Sequence, residues 1–404
     1  MKSTDIPKTF FKGKRAKRVL NISLVLLLLL SLQYLKTDIF FKEKNTPFSG
    51  DFFYNPYKYY SINTLKANFH SHSKAWLHLT SGSQKPEEVY KFYKSHGYDI
   101  VSLSNYQKIT VDSLVHDYIP VYEHGHNIGK SHQLIFNSCK TIFFDFPVVL
   151  GYNNRQQVIN KLREGGGLIA LAHPGLFLGY GKRVMKYLKG YDFIEVFNTF
   201  AISDGIWDAA LTGGYPAWIL AGDDCHDINN PELCLNCWNR ISSIGRSRDD
   251  VITALKDGCS YGVMNMNHKE LNYLDSCLVR QGTINVYFRN KADRISFIAD
   301  NGSVKKEVIN SATASYKITQ EDSYVRVSAR NGTEMIFLNP VVRYDGIGLN
   351  HNNGSIRLNY LLTILVRIIV IIECLAIILF LLLKKGVLNR LFHNFRTVSV
   401  FKKL

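Results

Sequence analysis

Residues 65–73 read LKANFHSHS, a short apolar run that ends in His70 and His72. In an extended chain, side chains two residues apart point to the same face. Both imidazoles can therefore reach a single metal ion. A His-x-His pair alone is a common surface or turn feature, so a metal site needs ligands from other parts of the chain.

Other predicted strands of the same region also end in histidine or a carboxylate. They are residues 118–122 before Glu123, with His132 nine residues on, residues 168–172 before His173, residues 192–194 before Glu195, and residues 218–221 before Asp224 and His226. Predicted helices at residues 86–96 and 155–164 alternate with these strands, which indicates a mostly parallel α/β sheet, open or closed into a barrel. The carboxyl ends of such strands share one face, where an active site forms.

The mixture of imidazoles and carboxylates indicates the class of metal. Neutral imidazoles with carboxylates suit zinc, manganese or iron, whereas calcium prefers ligands that are all oxygen. A shared carboxylate such as Glu123 suits a two-metal site. In such a site a bridging hydroxide attacks phosphorus, while the metals neutralise charge in the transition state. We therefore expect two divalent ions, zinc or manganese, with iron as a further option.

The order of these motifs resembles the PHP family, named for polymerase and histidinol phosphatase domains. The matching stretches are KANFHSHS, PVYEHGHNIGKSHQLIF, LIALAHPG, FIEVFN and ILAGDDCHD, which fall between residues 66 and 261. The resemblance implies a distorted seven-stranded βα barrel with metal-dependent phosphoesterase activity.

The resemblance also implies roles for individual residues. The ligands of the first metal would be His70, His72, Glu123 and Asp224. The ligands of the second metal would be Glu123, His132 and His173. His226 would hold a third metal or the substrate phosphate. Asp224 is preferred to Asp223 because it stands two residues before His226, and Asp223 is expected to cap a backbone segment or to face solvent.

One departure from the family pattern affects the third metal position. The family ends its next strand in Thr-Asp-His, and this chain has Ser104, Asn105 and Tyr106 there. The change removes metal ligands, so we predict a two-metal site in which Tyr106 or His226 hydrogen-bonds the substrate or leaving group. Glu195, Asn198 and Asn105 are expected to support the site.

Two long apolar runs, residues 19–35 and 359–383, predict transmembrane helices. The formal net charge is +16, of which +6 lies before residue 19 and +6 after residue 383, so that only +4 belongs to the chain between them. Basic residues beside membrane helices mark the cytoplasmic side. We therefore predict two cytoplasmic termini and a catalytic domain outside the membrane, with no nucleic-acid partner. A cleaved signal peptide is the alternative for the first run, but no A-x-A-like site follows it.

The chain divides into eight predicted segments. These are a basic tail (1–18), a membrane helix (19–35), a linker (36–60), the metallohydrolase barrel (61–265), a small antiparallel β domain (266–345), a second linker (346–358), a second membrane helix (359–383) and a second basic tail (384–404). Among seven cysteines, Cys234 and Cys237 are expected to form a local disulfide or to remain two free thiols.

Two functions fit these features. The first is a metal-dependent phosphoesterase that acts on a small-molecule or envelope phosphoester. The second is a catalytically silent barrel that serves as a binding or scaffold module in the envelope, which Asn105 and Tyr106 suggest because neither is a strong metal ligand.

Overall fold

A computed structural model describes residues 14–78, 80–110, 118–148, 150–349 and 356–384. Most of both predicted tails and part of the second linker lie outside the described residues. Two compact units are present. The first comprises Met1–Phe41, Phe146–Val148 and Arg357–Leu404, and the second comprises Lys42–Asp145 and Val149–Ile356.

The elements follow the chain in mixed order. The helices are α1 (Lys14–Leu32), α2 (Pro86–Ser95), α3 (Tyr152–Arg163), α4 (Lys182–Met185), α5 (Asp204–Thr212), α6 (Arg248–Lys256) and α7 (Tyr360–Lys384). The strands are β1 (Phe52–Tyr54), β2 (Leu65–Asn68), β3 (Lys74–Ala75), β4 (Thr80–Ser81), β5 (Ile100–Val101), β6 (Val121–His124), β7 (Gln133–Phe136), β8 (Leu168–Leu171), β9 (Phe193–Asn198), β10 (Ala201–Ile202), β11 (Trp218–Gly222), β12 (Cys237–Ile241), β13 (Ser260–Met264), β14 (Leu274–Arg280), β15 (Thr283–Ala299), β16 (Ser303–Lys317), β17 (Tyr324–Asn331), β18 (Glu334–Leu338) and β19 (Val341–Tyr344).

Local sequence explains where the helices of the second unit begin. Pro86 occupies the first turn of α2, where a missing N–H costs nothing, and two glutamates follow it near the positive end of the helix. Ser247 caps α6, because its side chain accepts a hydrogen bond from the backbone N–H of Asp250. These helices pack one face on the sheets and leave the other exposed.

The strands form two main sheets rather than one closed barrel. The six-stranded sheet has the order β10-β9-β8-β7-β6, with β11 also on β9, and the 11-stranded sheet contains β1, β2, β5 and the strands after β11. Among the described residues, the isolated bridges Ser71–Cys225 and Tyr106–Glu123 link the two sheets. The α/β class is confirmed, but the closed seven-stranded barrel is not.

The prediction of a mostly parallel sheet is wrong around β7. β8, β9 and β11 run parallel, but β7 is antiparallel to both β6 and β8. The connection between β6 and β7 is residues 125–132, shorter than the crossover of about a dozen residues that a parallel pair requires. The chain therefore turns back directly, and no helix separates the two strands.

The later β strands extend the sheet that begins at β2. β12 pairs with β2 and β13, and β13 pairs with β18. One sheet therefore crosses the predicted boundary between residues 265 and 266. Within the predicted β domain, β15 is one long strand whose pairing with β16 shifts register between Tyr287 and Ala292.

In the first unit, two helices are long and apolar enough to cross a membrane by length and composition. They span Arg15–Lys36 and Tyr360–Leu383, with mean hydropathies of 1.8 and 3.0. Ser31 Oγ donates a hydrogen bond to Glu373 Oε1 at 3.1 Å, which gives that carboxyl group a partner on the other helix. Arg367 forms an ion pair with Asp38 at 2.7 Å.

A buried ion pair connects α5 to β17 in the second unit. Arg326 donates to both carboxylate oxygens of Asp208 at 2.7 Å, and Tyr324 OH donates to the same carboxylate at 3.0 Å. Arg326 also lies over the Trp207 ring. The pair links a helix of the predicted barrel to a strand of the predicted β domain, and it has little access to water.

We expect Asp208→Asn to destabilise this unit by about 3–5 kcal/mol, because the Arg326 charge would stay buried without a counter-charge. Urea unfolding of the solubilised chain, followed by tryptophan fluorescence, measures the change. The control is Asp275→Asn, which breaks the exposed pair with Arg289 and should have little effect. Similar losses in both variants would contradict a special role for the buried pair.

Candidate metal centre

The segment after β2 carries the first two histidines to the junction between the sheets. His72 N donates to Cys225 O at 2.8 Å, and Asp224 N donates to His70 O at 2.9 Å. These bonds align the chain after β2 with the chain after β11. His70, His72 and Asp224 are therefore brought together by backbone pairing of two distant segments.

The reversed direction of β7 places His132 beside Glu123. Glu123 lies near the end of β6, and His132 immediately precedes β7. Because β6 and β7 are antiparallel, the end of one and the start of the other meet at the same edge. The sequence order alone does not require this proximity.

Two clusters of potential metal ligands occur among the described residues, and they share Glu123. The first contains His70, His72, Glu123 and Asp224, and the second contains Glu123, His132 and His173. All six side chains are buried. The structure therefore brings together the residues predicted for the first two metal positions.

In the first cluster, one carboxylate oxygen from each acid faces the two histidines. Asp224 Oδ1 lies 3.2 Å from His70 Nε2 and 3.1 Å from His72 Nε2. Glu123 Oε2 lies 3.7 Å and 3.3 Å from the same two nitrogens.

In the second cluster, the other oxygen of Glu123 faces a second pair of histidines. Glu123 Oε1 lies 2.6 Å from His132 Nδ1 and 3.2 Å from His173 Nε2. Each oxygen of this carboxylate therefore serves a different pair of imidazoles. That arrangement suits a carboxylate that bridges two cations.

Glu195 and Asn198, both on β9, orient the candidate ligands His70 and His173 through hydrogen bonds. Glu195 Oε1 lies 2.8 Å from His70 Nδ1, so that nitrogen can donate to it and His70 Nε2 is left to face the cluster. Glu195 Oε2 accepts from His173 N at 2.7 Å and from Asn198 Nδ2 at 3.1 Å. The predicted supporting role of both residues fits these contacts.

Asn105 and Tyr106 have different positions. Asn105 Oδ1 accepts from Ser73 N at 2.8 Å, and its amide donates to Ser73 Oγ, so it anchors the chain after His72. Tyr106 stacks on the His72 ring with 4.8 Å between centroids. Burial, together with Glu123, raises the pKa of Tyr106, so its hydroxyl remains protonated.

His226 lies at the open side of the first cluster. Its ring stacks on His72 at 4.1 Å between centroids, and its side chain is 35% exposed. Nδ1 lies 2.8 Å from Asp224 O, a contact in which Nδ1 carries the proton and Nε2 is left available to a ligand. Neither cluster includes His226, so its position favours contact with a substrate over a third metal site.

Two other expectations can be compared with the structure. Of the two alternatives for Asp223, capping fits and solvent exposure does not, because it accepts from the backbone N–H groups of Leu235, Asn236 and Cys237 and from Tyr93 OH. Burial raises its pKa to about 6 despite these hydrogen bonds. Cys234 pairs with Cys225 rather than with Cys237. Cys225 stands between Asp224 and His226, so the disulfide fixes the loop that carries both.

The charge of the cluster requires compensation. Burial would raise the pKa of Glu123, but His132 and neighbouring histidines hold it well below its usual range. Burial would likewise lower the pKa of His70, but Glu195 and Asp224 raise it well above its usual value. Protons on the imidazoles or divalent cations can supply the positive charge, and metal binding displaces such protons.

Buried polar atoms provide a test of whether cations fit. Among the described residues, His70 Nε2 and Glu123 Oε2 are buried without a hydrogen-bond partner. An unpaired buried polar atom costs free energy unless another group satisfies it. Nitrogen and carboxylate donors in this ratio match zinc, manganese or iron. The residues therefore fit a pair of divalent ions.

Backbone strain accompanies the ligand positions. His173 and Asp224 have positive φ values of 27° and 56°, which non-glycine residues rarely adopt. Such strain persists where the surrounding structure enforces it, often at functional sites. Neither strained position was predicted from the sequence.

Gly222 leaves the space that His70 and Glu195 occupy. A Cβ at this position would lie 2.4 Å from Glu195 Oε1 and 2.6 Å from His70 Cβ. The sequence motif contains this glycine, but only the folded chain shows that a methyl group would collide with a ligand and its support.

We expect Gly222→Ala to lower bound metal to about one ion or fewer per chain, because His70 must move. Elemental analysis of the purified full chain measures this. Gly181→Ala is the matched control, since a Cβ there meets nothing within 4 Å and its φ is −83°. Equal metal content in both variants would contradict the role given to Gly222.

Comparisons with known proteins give low-level structural similarity. No protein-family model matches the chain, and no curated protein matches it. One solved structure that matches is a two-domain protein from Bacteroides vulgatus containing a predicted PHP-like metal-dependent phosphoesterase. The two chains are 11% identical with a TM-score of 0.39, and the match covers 76% of this chain and 92% of that chain. Because the identity and the TM-score are this low, a function can be proposed only from the residues of the candidate centre.

Proposed function

We propose that the chain is a metal-dependent phosphoesterase with two divalent ions, zinc or manganese for preference. The observation that carries this proposal is Glu123, whose two oxygens each face a separate pair of histidines. His70, His72, Glu123 and Asp224 would hold one ion. Glu123, His132 and His173 would hold the other.

Two such ions, when bound, would lower the pKa of a water and neutralise charge on the phosphoryl oxygens. The protein residues around them supply orientation. Glu195 fixes the His70 ring through Nδ1, and Asn198 fixes Glu195. This second layer of hydrogen bonds keeps the ligand atoms directed at one centre.

Tyr106 and His226 would act on the substrate. Both rings stack against His72, and both residues are half-buried. The Tyr106 hydroxyl, which hydrogen-bonds Glu123 in this structure, would donate to a phosphoryl or leaving-group oxygen once cations satisfy that carboxylate. In its imidazolium form, His226 would donate to the same group through Nε2 while Nδ1 donates to Asp224 O.

We further propose that the site works outside the cytoplasm. Two apolar helices would leave both basic termini on the cytoplasmic side and the intervening unit on the other side. The Cys225–Cys234 disulfide supports this, because disulfides persist in oxidising compartments. The mild charge between the helices argues against a nucleic-acid substrate.

The silent-barrel alternative has less support. It rested on Asn105 and Tyr106 as weak ligands, but Asn105 is engaged in positioning Ser73 and lies outside both clusters. A cluster of buried carboxylates and imidazoles maintained without a metal would be costly.

We expect the metal-loaded full chain to hydrolyse at least one phosphate mono- or diester in a substrate panel, and a chelator to abolish turnover. The double variant His70→Ala/His72→Ala should lose at least one ion and all activity, because two ligands of one cation disappear. The control is His268→Asn, an exposed histidine outside both clusters. A fully loaded protein that hydrolyses no phosphoester would favour the silent barrel.

Tyr106→Phe separates binding of metal from catalysis. The ring can still stack on His72, but the hydroxyl is lost. We expect kcat to fall by about 10- to 100-fold with unchanged metal content. Elemental analysis and steady-state kinetics on the same preparation test this, and a loss of metal would assign Tyr106 a structural role instead.

A further inference from the structure

Large apolar side chains are exposed around the candidate metal centre. We name six of them the apolar rim: Trp76 (44% exposed), Leu77 (93%), Ile128 (73%), Phe143 (59%), Phe177 (78%) and Leu178 (77%). Single exposed apolar residues are ordinary on a protein surface, but a group of large ones indicates a binding surface.

One side of the rim is connected to the metal centre through Tyr106. Trp76 Nε1 donates to Tyr106 O at 2.8 Å, and Tyr106 stacks on His72. Phe143 lies edge-on to Trp76 with 6.5 Å between ring centroids. Trp76, Leu77 and Phe143 also line a hollow of about 470 Å³.

The residues on the other side of the rim lie in two loops that also carry candidate metal ligands. Ile128 lies in the loop between Glu123 and His132, and Phe177 and Leu178 lie in the loop after His173. Ser131 Oγ donates to Gly179 O at 2.7 Å, so the two loops pack together. Trp76 and Leu77 closely follow His72, so every rim residue except Phe143 lies on a segment that carries a candidate ligand.

The backbone of the rim is strained where it presents apolar side chains to solvent. Trp76, Leu77 and Phe177 have positive φ values of 48°, 54° and 49°. Apolar residues in this conformation pay a steric penalty, and Leu77 gains almost nothing from burial in return. Strain that brings no packing is typical of a surface shaped for a ligand.

We propose that the substrate is a phosphoester lipid of the bilayer, with its phosphate at the metal centre and its hydrocarbon chain on the apolar rim. This inference rests on the proposed function and adds a substrate class to it. A polar, cation-binding centre surrounded by exposed apolar groups matches an amphiphile with a phosphate head. The two apolar helices of the same chain would keep it at a bilayer, where such lipids are abundant.

The first test compares a lipid with its own soluble head group. The metal-loaded full chain in nanodiscs is assayed on phosphatidic acid and on glycerol 3-phosphate, or on phosphatidylglycerol and glycerophosphoglycerol if the enzyme cleaves diesters. We expect kcat/KM to favour the lipid by at least about 10-fold, because the rim would hold the hydrocarbon chain and so position the attached phosphate at the centre.

A rim variant should remove this preference alone. Leu77→Asn, Phe177→Asn and Leu178→Ser are combined, since asparagine tolerates positive φ. The lipid activity should fall about 10-fold, while the soluble activity changes less than about 2-fold. The matched control combines Ile244→Ser, Val304→Thr and Ile309→Thr, which are exposed apolar residues before α6 and on β16. It should alter neither activity.

Three outcomes would overturn the inference. Equal kcat/KM for the lipid and for its soluble head group would show that the protein does not recognise the hydrocarbon chain of the lipid. Equal losses on both substrates in the rim variant would make the rim a structural feature of the site. A change of oligomeric state in the rim variant, measured by native mass spectrometry, would make it a contact between copies. Turnover of neither substrate would instead contradict the proposed function.

Tryptophan fluorescence gives a readout that needs no turnover. Of the four tryptophans, Trp207, Trp218 and Trp238 are buried and Trp76 is not. A phosphonate analogue of phosphatidic acid with brominated acyl chains, which a phosphoesterase cannot hydrolyse, added to nanodiscs of the metal-loaded protein, should quench Trp76 on contact. Quenching should vanish in Trp76→Phe and weaken in the rim variant. Absence of quenching in the wild type would overturn lipid contact at the rim.

Discussion

The Glu123 carboxylate is the group on which the rest of the centre depends. It is fully buried, and its two oxygens face different pairs of histidines. A buried anion is stable only with nearby positive charge and hydrogen bonds. Every strand end that meets here therefore contributes an imidazole, a carboxylate or a residue that orients one of them.

Holding these groups together imposes local costs that other contacts offset. His173 and Asp224 adopt strained backbone conformations, and each is fixed by neighbouring hydrogen bonds. Asp223, next to Asp224, gathers three backbone N–H groups of the following loop. The Cys225–Cys234 disulfide ties the same loop covalently. The segment between β11 and β12 is thus rigid on both sides of a metal-ligating position.

The candidate centre combines a polar interior with an apolar surrounding surface. The interior of the site is polar and the loops that surround it expose large apolar side chains, Leu77 and Phe177 foremost. A phosphoester lipid has a matching arrangement, with a polar phosphate group that suits the interior of the site and a hydrocarbon chain that suits the apolar loops around it. The two helices that are apolar enough to cross a membrane would place the chain where such molecules occur.

The candidate metal ligands could be identified from the sequence alone. The period of two in an extended chain puts His70 and His72 on one face, and short apolar runs that end in His or Glu identify the ligand candidates without any knowledge of contacts. The α/β class and the two apolar helices also follow from periodicity and composition, which are local properties. The roles of adjacent Asp223 and Asp224 were separable only through a motif.

The folded structure was needed to show how the strands and loops that carry the candidate ligands meet. The length of the 125–132 connection turned β7 around and set His132 against Glu123. The choice of Cys234 over Cys237 as partner of Cys225, and the open junction in place of a closed barrel, depend on which distant backbones pair. Pairing between segments far apart in sequence is governed by packing and loop closure, for which local spacing carries no signal.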